Sequence, residues 1–344
     1  MDDSLRLTVR AVDVGYGFTK FVRELRESEP VCQHFPSMAA AAGRRALAEG
    51  LGQRRDTVTV AVDGIDYEVG PDVALAVGRF REETFHDDFA ESPTYLALVR
   101  GALAYIGQPT IDLLVVGLPV STFIARREAL RARLIGSHDC GGRAVEVRDV
   151  LVLAQPHGAL GAWGLTKSRF YETKRRTTMV VDCGYRTFDW IVARGFRVMD
   201  ALSGAVNRGM RDALLAIAEP LSSQLGLPVR SLERLDVALR TGQPALLAGR
   251  EIDLAGHVAQ AHKVAEEAVA SLKAAVEEAA AEIDLILLVG GSAWFFAPHL
   301  QRAFPKHRIE RVQDSMSANV RGYQLYGMEI AASRQRALRA MEAA

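Results

Sequence analysis

The chain has 344 residues, and its 42 Lys plus Arg balance 42 Asp plus Glu, so the formal net charge at neutral pH is zero. This balance supplies no bulk positive charge for binding nucleic acid by counterion release, so any contact with DNA is expected to be local or made through another protein. The length predicts two comparable lobes, and the 49% hydrophobic content is typical of a soluble globular protein.

The cysteines and the N-terminal segment point to neither a zinc site nor secretion. Cys32, Cys140 and Cys183 are odd in number and widely spaced, unlike the paired ligands of a zinc site. We therefore expect reduced thiols and a cytoplasmic protein. The segment MDDSLRLTVR starts with acidic residues and has no long apolar run, so neither a signal peptide nor a membrane span is expected there.

The N-terminal part of the chain predicts a β-hairpin followed by an insertion. Residues 5–14 form an apolar-rich strand that ends in a glycine-containing turn, and residues 18–25 return as a second strand. From about residue 30 to about 105 the pattern is mixed, with short strands near 57–62 and 65–69, and predicts an inserted subdomain.

The middle of the chain contains buried strands that lead into helices. Residues 111–116 are a continuous apolar run, which predicts a buried strand, and an Arg-rich helix follows at 124–134. Residues 144–147 and 150–154 predict a strand pair that ends at Gln155, before another helix.

The second half begins with another strand, turn and strand. Residues 179–181 predict a strand, 182–187 a turn, and a return strand runs through Val192. Residues 207–283 are mainly helical, with one apolar stripe of helical period. A buried strand at 285–289 follows, and the chain ends in an Arg-rich amphipathic helix.

A short repeat relates the two halves. V-D-V-G-Y-G-F-T at 12–19 and V-D-C-G-Y-R-T-F at 181–188 share Val, Asp, Gly and Tyr when aligned without gaps. Both copies lie at the first strand, turn and strand of a half. A repeat separated by half the chain predicts duplicated lobes that face each other.

Each copy combines a carboxylate with a glycine turn. Such a turn offers backbone N–H groups to an anion and an acidic side chain to a cation, which suits phosphate with magnesium. In the first copy Asp13 could orient magnesium-bound water, the glycines let the backbone approach phosphate, and Lys20 supplies a positive charge. Lys20 could instead form a salt bridge to Asp13 or to another acidic residue. The second copy offers Asp182, Gly184, Arg186 and Thr187.

A third glycine turn follows the late buried strand, in the segment L-L-V-G-G-S-A at 287–293. The chain has neither a G-x-x-x-x-G-K-[ST] loop nor a G-x-G-x-x-G at a strand-to-helix turn, so P-loop and Rossmann-type binding lack their motifs. Phosphates would have to be held in a different way.

This order of two acidic hairpins, an intervening strand end and a Gly-Gly turn resembles the actin, sugar-kinase and DnaK-chaperone superfamily over nearly the whole chain. The resemblance implies an α/β fold of duplicated ribonuclease H-like lobes, with mixed sheets flanked by helices and inserted subdomains. It also implies ATP or ADP with Mg²⁺ as cofactors. The residues that it implies for nucleotide binding are Asp13, Gly15, Tyr16, Gly17, Phe18, Lys20, Asp182, Gly184, Tyr185, Arg186, Thr187, Gly209, Gly290, Gly291 and Ser292.

The resemblance also implies catalytic roles. Gln155 matches the actin residue that positions the attacking water, and a glutamine can do this without acting as a strong base. Asp182 is the second catalytic candidate, and Asp13 and Asp182 would hold the metal through water. Gln155 could instead be a loop amide that caps a strand, and Asp189 could serve either the metal or the structure.

Within the superfamily the sequence resembles plasmid-segregation actins of the ParM and StbA type. The shared motifs are D-V-G-Y-G-F-T-K-F-V, H-F-P-S, G-L-P-V and A-N-V-R-G-Y. The first and second of these also resemble protein D of PRTRC gene systems. Gly209 lies where relatives line the base and ribose, and Lys263 and Glu266 are further candidates that could equally form a solvated face.

These features predict a first lobe at 1–170 and a second at 171–344, with a helical subdomain at 207–283. We expect an ATPase that binds Mg-ATP between the lobes, self-associates into filaments and acts in plasmid or mobile-element DNA segregation. A DNA-binding adaptor protein is a possible partner, and no membrane is expected. The alternatives are a small-molecule kinase of the same superfamily and a nucleotide-dependent adaptor that does not hydrolyse ATP.

Overall fold

The computed structural model describes residues 7–43, 55–76, 88–166 and 168–342. The chain divides into two compact units, of which the first comprises Met1–Arg175 with Val312–Ala344 and the second comprises Arg176–Arg311. The predicted start of the first strand at residues 5 and 6 lies outside the described residues. Each unit is built on its own sheet.

In its described residues before the C-terminal segment, the first unit alternates strands with helices. Its strands are β1 (Val9–Val14), β2 (Phe18–Arg26), β3 (Glu29–Pro36), β4 (Ala40–Ala41), β5 (Val58–Val62), β6 (Ile65–Val69), β7 (Thr110–Ile111), β8 (Leu113–Leu118), β9 (Gly136–Asp139), β10 (Ala144–Val147) and β11 (Val150–Ala154). Its helices are α1 (Pro93–Ile106), α2 (Val120–Leu134), α3 (Gln155–Gly164) and α4 (Phe170–Arg175).

Five of these strands form the central sheet, in the order β11-β8-β1-β2-β3. β11, β8 and β1 are parallel, whereas β1, β2 and β3 form an antiparallel meander. Every residue of β8 is buried, as expected of a parallel strand covered on both faces. Because parallel strands end at one edge, Asp13 at the end of β1 and Gln155 after β11 are brought to the same edge.

Two elements within the predicted insertion pack with the main body of the first unit. β3 extends the central sheet, and α1 packs on β1 and β2 as well as on β5. The separate three-stranded sheet has the order β4-β6-β5. The expected subdomain at about 30 to 105 therefore included two elements of the main body, because β3 and α1 carry their apolar residues toward its core.

The second unit has eight strands and four helices. Its strands are β12 (Thr177–Cys183), β13 (Phe188–Arg194), β14 (Arg197–Val198), β15 (Gly204–Val206), β16 (Ala245–Leu247), β17 (Arg250–Ile252), β18 (Leu285–Val289) and β19 (Ile309–Arg311). Its helices are α5 (Met210–Leu225), α6 (Leu232–Thr241), α7 (Val258–Val276) and α8 (Ala293–Ala303).

The main sheet of the second unit repeats the topology of the first. Its order is β14-β13-β12-β18-β19, with β15 pairing β13. β12 is antiparallel to β13 and parallel to β18, and β18 is parallel to β19. β12 therefore corresponds to β1 and β18 to β8, which confirms the duplication predicted from the short repeat. The predicted helical segment 207–283 contains α5, α6 and α7, together with the β16–β17 hairpin.

The last helix, α9 (Ala318–Glu342), belongs to the first unit, whereas the sequence placed all of 171–344 in a second lobe. It packs on α3 and on β1 and β8. Glycines allow this close crossing, because a Cβ on Gly322 would overlap the Gly158 carbonyl and one on Gly158 would meet the Tyr323 ring. No helix in the described part of the chain is long and apolar enough to span a membrane.

His157 is predicted to make the stability of the first unit depend on pH. Its ring packs edge-on against Tyr326 of α9, and burial lowers its pKa from 6.5 to about 4. Between these values the unfolded chain holds a proton that the folded chain lacks. The free energy of unfolding should therefore fall as pH drops from 6.5 to 4, and this loss should be complete below pH 4.

The size of this loss is on the order of 3 kcal/mol, at about 1.4 kcal/mol for each pKa unit. His157→Phe keeps an aromatic ring but cannot titrate, so its unfolding free energy should change less across this window. Urea unfolding at several pH values measures the difference. Identical pH slopes for the wild type and the variant would contradict this assignment.

Candidate functional site

The first hairpin, between β1 and β2, places a buried carboxylate next to a glycine turn. Gly15 N donates a hydrogen bond to Phe18 O at 3.1 Å, which closes the turn. Asp13 and Lys20 are opposite each other in the ladder, and Lys20 Nζ lies 3.0 Å from Asp13 Oδ2. The salt bridge considered for Lys20 is therefore present.

Gln155 approaches the other oxygen of the same carboxylate. Its Nε2 donates to Asp13 Oδ1 at 3.0 Å, and both side chains are buried. A carboxylate can only accept, so the amide must present its NH₂ group to Asp13, and Oε1 is left to accept from another donor. The Gln155 carbonyl accepts a hydrogen bond from the Tyr323 hydroxyl at 3.4 Å, which links the start of α3 to α9.

A side chain at Gly15 would displace the Lys20 ammonium group and crowd the turn. A Cβ there would lie 2.9 Å from Lys20 Nζ and 3.2 Å from Phe18 O. The lysine therefore lies over the turn as well as beside Asp13. Burial and the Lys20 charge lower the pKa of His34 on β3, so this imidazole adds little positive charge near neutral pH.

The two aromatic residues of the turn point to neighbouring rings. Tyr16 stacks on Phe89, with ring centroids 5.0 Å apart and planes 26° apart. Phe18 is 43% exposed and meets His34 edge-on at 5.4 Å. Gly17 accepts a backbone hydrogen bond through its carbonyl. We therefore expect a ligand at this turn to contact backbone groups and not the Tyr16 ring.

The second hairpin, between β12 and β13, has the same turn but different charges. Gly184 N donates to Thr187 O at 3.0 Å, the equivalent of the Gly15 bond. Asp182 is opposite Asp189 in the ladder, and both are buried. Where the first hairpin pairs a carboxylate with a lysine, the second places two carboxylates across from each other.

The Gly-Gly turn closes against the end of β12. Ser292 N donates to Cys183 O at 3.1 Å, and the parallel pairing sets Asp182 opposite Val289. Gly290 has φ +94°, and a Cβ there would meet the Asp182 carboxylate and the Cys183 carbonyl. Gly291 has open space around its Cα.

Gly209 supports the second hairpin turn directly. It is the N-cap of α5, and a Cβ there would strike the backbone of Tyr185 and Arg186. Arg211 N donates to Tyr185 O at 2.8 Å. The first turn of α5 is thus bonded to the hairpin, so Gly209 has a packing role in addition to the predicted contact with a base or ribose.

A cavity of about 390 Å³ lies beside this segment, and it is lined by Val206, Asn207, Arg208, Glu267 and Ser271. Arg208 Nε lies 3.4 Å from Glu267 Oε2. Sequence reasoning did not identify Glu267 and Ser271, although their four-residue spacing on α7 places them on one helix face.

The two residues of α7 that the sequence suggested as further nucleotide contacts, Lys263 and Glu266, do not line this cavity. Lys263 is exposed, and Glu266 lies 3.6 Å from Arg302 on α8. Among the residues that the structure describes, no three His, Cys, Asp or Glu side chains gather into a metal-binding group. Mg²⁺ commonly takes only one or two carboxylates and completes its shell with water and phosphate oxygens, so the Asp182 and Asp189 pair fits that ion.

Two domain families match consecutive parts of the chain. The N-terminal domain of actin-like proteins matches residues 11–158. The C-terminal domain of archaeal MreB-like actin homologues matches residues 180–302. No curated protein sequence matches the chain at a significant level.

Solved structures match over nearly the full length. A ParM filament from Clostridium botulinum has a TM-score of 0.74 at 18% identity, covering 94% of this chain and 99% of its own. The archaeal actin homologue Ta0583, in complex with ADP, has a TM-score of 0.73 at 19% identity, covering 95% and 100%. The apo ParM protein of pSK41 has a TM-score of 0.66 at 18% identity, covering 95% and 99%.

The two glycines of the late turn should differ in their tolerance of a side chain. Gly290→Ala forces a positive φ on alanine and a clash with Asp182 and Cys183, so we expect a loss of at least about 2 kcal/mol of unfolding free energy. Gly291→Ala is the matched control and should change it by less than about 0.5 kcal/mol. Denaturant unfolding measures both, and equal effects would contradict the packing described for this turn.

Proposed function

We propose that this chain, which belongs to the actin-like proteins, is an ATPase that binds Mg-ATP through both glycine hairpins and assembles into filaments. The predicted actin-like fold and the predicted resemblance to ParM-type proteins are confirmed by the domain and structure matches. The narrower resemblance to PRTRC protein D is tested by none of these matches and stays a prediction.

The observation that most supports ATP hydrolysis is the engagement of both Asp13 oxygens. Lys20 binds one oxygen and the Gln155 amide binds the other, each at 3.0 Å. Because the NH₂ group of Gln155 is bonded to Asp13, Oε1 is the atom of this amide that we assign to the attacking water, from which it would accept a hydrogen bond. A glutamine in this role orients the attacking water instead of removing its proton.

The first hairpin would bind phosphate chiefly through its backbone. The proposed donors are the backbone N–H groups of Tyr16 and Gly17, since Gly15 N already donates to Phe18 O, and Lys20 adds a positive charge beside the turn. In the second hairpin Gly184, Tyr185, Arg186 and Thr187 are the proposed phosphate-binding residues, again through a turn closed by a 3.0 Å backbone bond.

The metal would be held through water on the carboxylates. Asp13 and Asp182 are the proposed carboxylates, and Asp189 lies opposite Asp182 in the ladder, where it is buried as well. When bound, Mg²⁺ would offset the negative charge of the phosphates during transfer. We therefore add Asp189 to the proposed metal site, a role that the sequence left open.

The cavity beside Arg208 is the proposed site for the nucleoside. Its lining includes the polar side chains of Arg208, Glu267 and Ser271, and it adjoins the α5 N-terminus that supports the second hairpin. Gly290, Gly291 and Ser292 are the other proposed contacts of the adenosine. The Ta0583 structure in complex with ADP supports nucleotide binding by this fold.

We propose filament formation and plasmid segregation because several of the solved structures that this chain resembles are ParM proteins or actin-like filaments. One matching structure is a ParM filament, and another is a filament of Alp12, with a TM-score of 0.59. The zero net charge supports delegating DNA contact to an adaptor protein. We therefore propose a cytoplasmic protein that associates with copies of itself.

Replacing Gln155 should slow hydrolysis without weakening nucleotide binding. Gln155→Ala removes the group that orients water, so kcat should fall about a hundredfold while KM changes less than about threefold. Gln301→Ala, at an exposed position on α8, is the control and should keep wild-type activity. Phosphate release at saturating Mg-ATP measures the effect, and an unchanged kcat would exclude this role for Gln155.

The same assay separates the two alternative functions. Phosphate release without any added acceptor supports an ATPase, whereas strict dependence on a sugar or another small acceptor would identify a kinase. Tight ATP binding with no release in the wild type would identify a nucleotide-dependent adaptor.

Assembly should depend on nucleotide and on Asp182. We expect filaments with Mg-ATP, fewer with ADP, and none for Asp182→Ala, because loss of this carboxylate weakens metal and phosphate binding together. Negative-stain electron microscopy and light scattering measure assembly. Failure of the wild type to form filaments in every condition would remove the filament proposal while leaving nucleotide binding open to separate measurement.

A further inference from the structure

The motif H-F-P-S at 34–37 ends the edge strand β3 beside the first glycine turn. Phe35 anchors the motif in the core, because it is only 1% exposed and its ring lies 5.9 Å from that of Phe21. Pro36 is opposite Phe18 in the ladder and is the last residue of β3. A proline has no N–H to donate and is tolerated on an edge strand, so it ends the pairing at a fixed point next to the turn.

The residue after this proline binds the glycine turn through its backbone. Ser37 N donates a hydrogen bond to Gly17 O at 3.0 Å. The chain then turns tightly, with Met38 N donating to Pro36 O at 2.7 Å. The next carbonyl of the hairpin, that of Phe18, also accepts a backbone hydrogen bond. Two consecutive carbonyl groups at the end of the turn therefore have backbone donors.

The Ser37 side chain makes a second contact with the same hairpin. Its Oγ lies 2.9 Å from Thr19 Oγ1, and either hydroxyl can be the donor. Both residues are buried, with Thr19 0% and Ser37 5% exposed. A buried hydroxyl that loses its partner is costly, so this pair fixes the position of Ser37 relative to β2.

The second hairpin has a backbone support of the same kind but not the hydroxyl pair. There Arg211 N donates to Tyr185 O at 2.8 Å. Phe188 takes the place of Thr19 in the aligned repeat, and it packs in the apolar core of the second unit. The hydroxyl pair therefore distinguishes the first hairpin from the second.

We propose that Ser37 is a positioning residue for phosphate binding: together with Thr19 it holds the Gly17 carbonyl toward the end of β3 and away from the phosphate. Glycine populates more backbone conformations than other residues, so this carbonyl needs a fixed partner to keep one direction. A carbonyl oxygen carries a partial negative charge and would repel a phosphate that it faced. This inference rests on the proposed function, in which the backbone of this turn binds phosphate.

The first test removes the hydroxyl pair and measures binding of Mg-ATP by calorimetry. Thr19→Val keeps the shape of the side chain but cannot bond Ser37, so ATP affinity should fall about two- to tenfold, the size of one neutral hydrogen bond. Ser37→Ala should have the same effect. The double variant should bind no more weakly than either single one, because both changes remove the same bond. Thr19→Ser keeps a hydroxyl group and should bind normally.

Adenosine and a second buried threonine separate positioning from general damage. Every variant should bind adenosine, which lacks phosphates, as the wild type does. Thr178→Val is the matched control, because Thr178 is also 0% exposed but its hydroxyl has no hydrogen-bond partner within the described part of the chain. This control should leave ATP affinity unchanged.

Hydrogen exchange in the nucleotide-free protein measures the turn itself. The Ser37 amide proton should exchange about two- to tenfold faster in Thr19→Val than in the wild type, since its bond to Gly17 is less well held. The amide protons of β12, in the other unit, should exchange at the wild-type rate.

Unchanged ATP affinity in both Thr19→Val and Ser37→Ala, or an equal loss of adenosine affinity, would overturn the inference. Failure of the proposed function gives a different result, because the wild type itself would then bind no Mg-ATP. Thermal unfolding shows whether each variant folds. If Thr19→Val does not fold, Ser37→Ala is measured under the same expectations.

Discussion

The carboxylate of Asp13 joins three separate segments of the first unit. Lys20 reaches it from the antiparallel neighbour, and Gln155 reaches it from the first residue of α3, just after the strand that lies two positions away in the sheet. A buried carboxylate is tolerated only when its oxygens are bonded, so the arrangement requires both partners. The parallel pairing of β11, β8 and β1 meets this requirement by ending these strands at one edge. The glycine turn, the amide and the charge thus depend on a single buried group.

The second unit uses the same topology with a different charge arrangement. Asp182 takes the position of Asp13, but the residue opposite it is Asp189 instead of a lysine. The two hairpins therefore share the backbone of the turn but differ in charge at one ladder position, which holds Lys20 in the first hairpin and Asp189 in the second.

The sequence predicted the parts of the fold that depend on short stretches of neighbouring residues. The two hairpins, the buried strand at β18 and the duplicated order of elements follow from glycine turns and runs of apolar residues. The salt bridge of Lys20 to Asp13 was one of the alternatives that the sequence left open. The stacking of Tyr16 on Phe89 did not follow from the sequence, because Phe89 lies far along the chain and no periodicity connects the two residues. The same reason explains the misplacement of α9, whose apolar stripe gives no sign of which sheet it covers. Glu267 was missed because helix position alone does not show which face meets a cavity.

The crossing of α9 over α3 has a consequence for synthesis. The first unit needs residues 318–342, which the ribosome makes after the whole of the second unit. Until then the faces of α3, β1 and β8 that α9 covers have no partner, and the carbonyl of Gln155 lacks the Tyr323 hydroxyl. Domains generally fold as units during translation, N-terminal first. Here the order is reversed: the segment 176–311 can complete its core first, and the unit that starts the chain matures last.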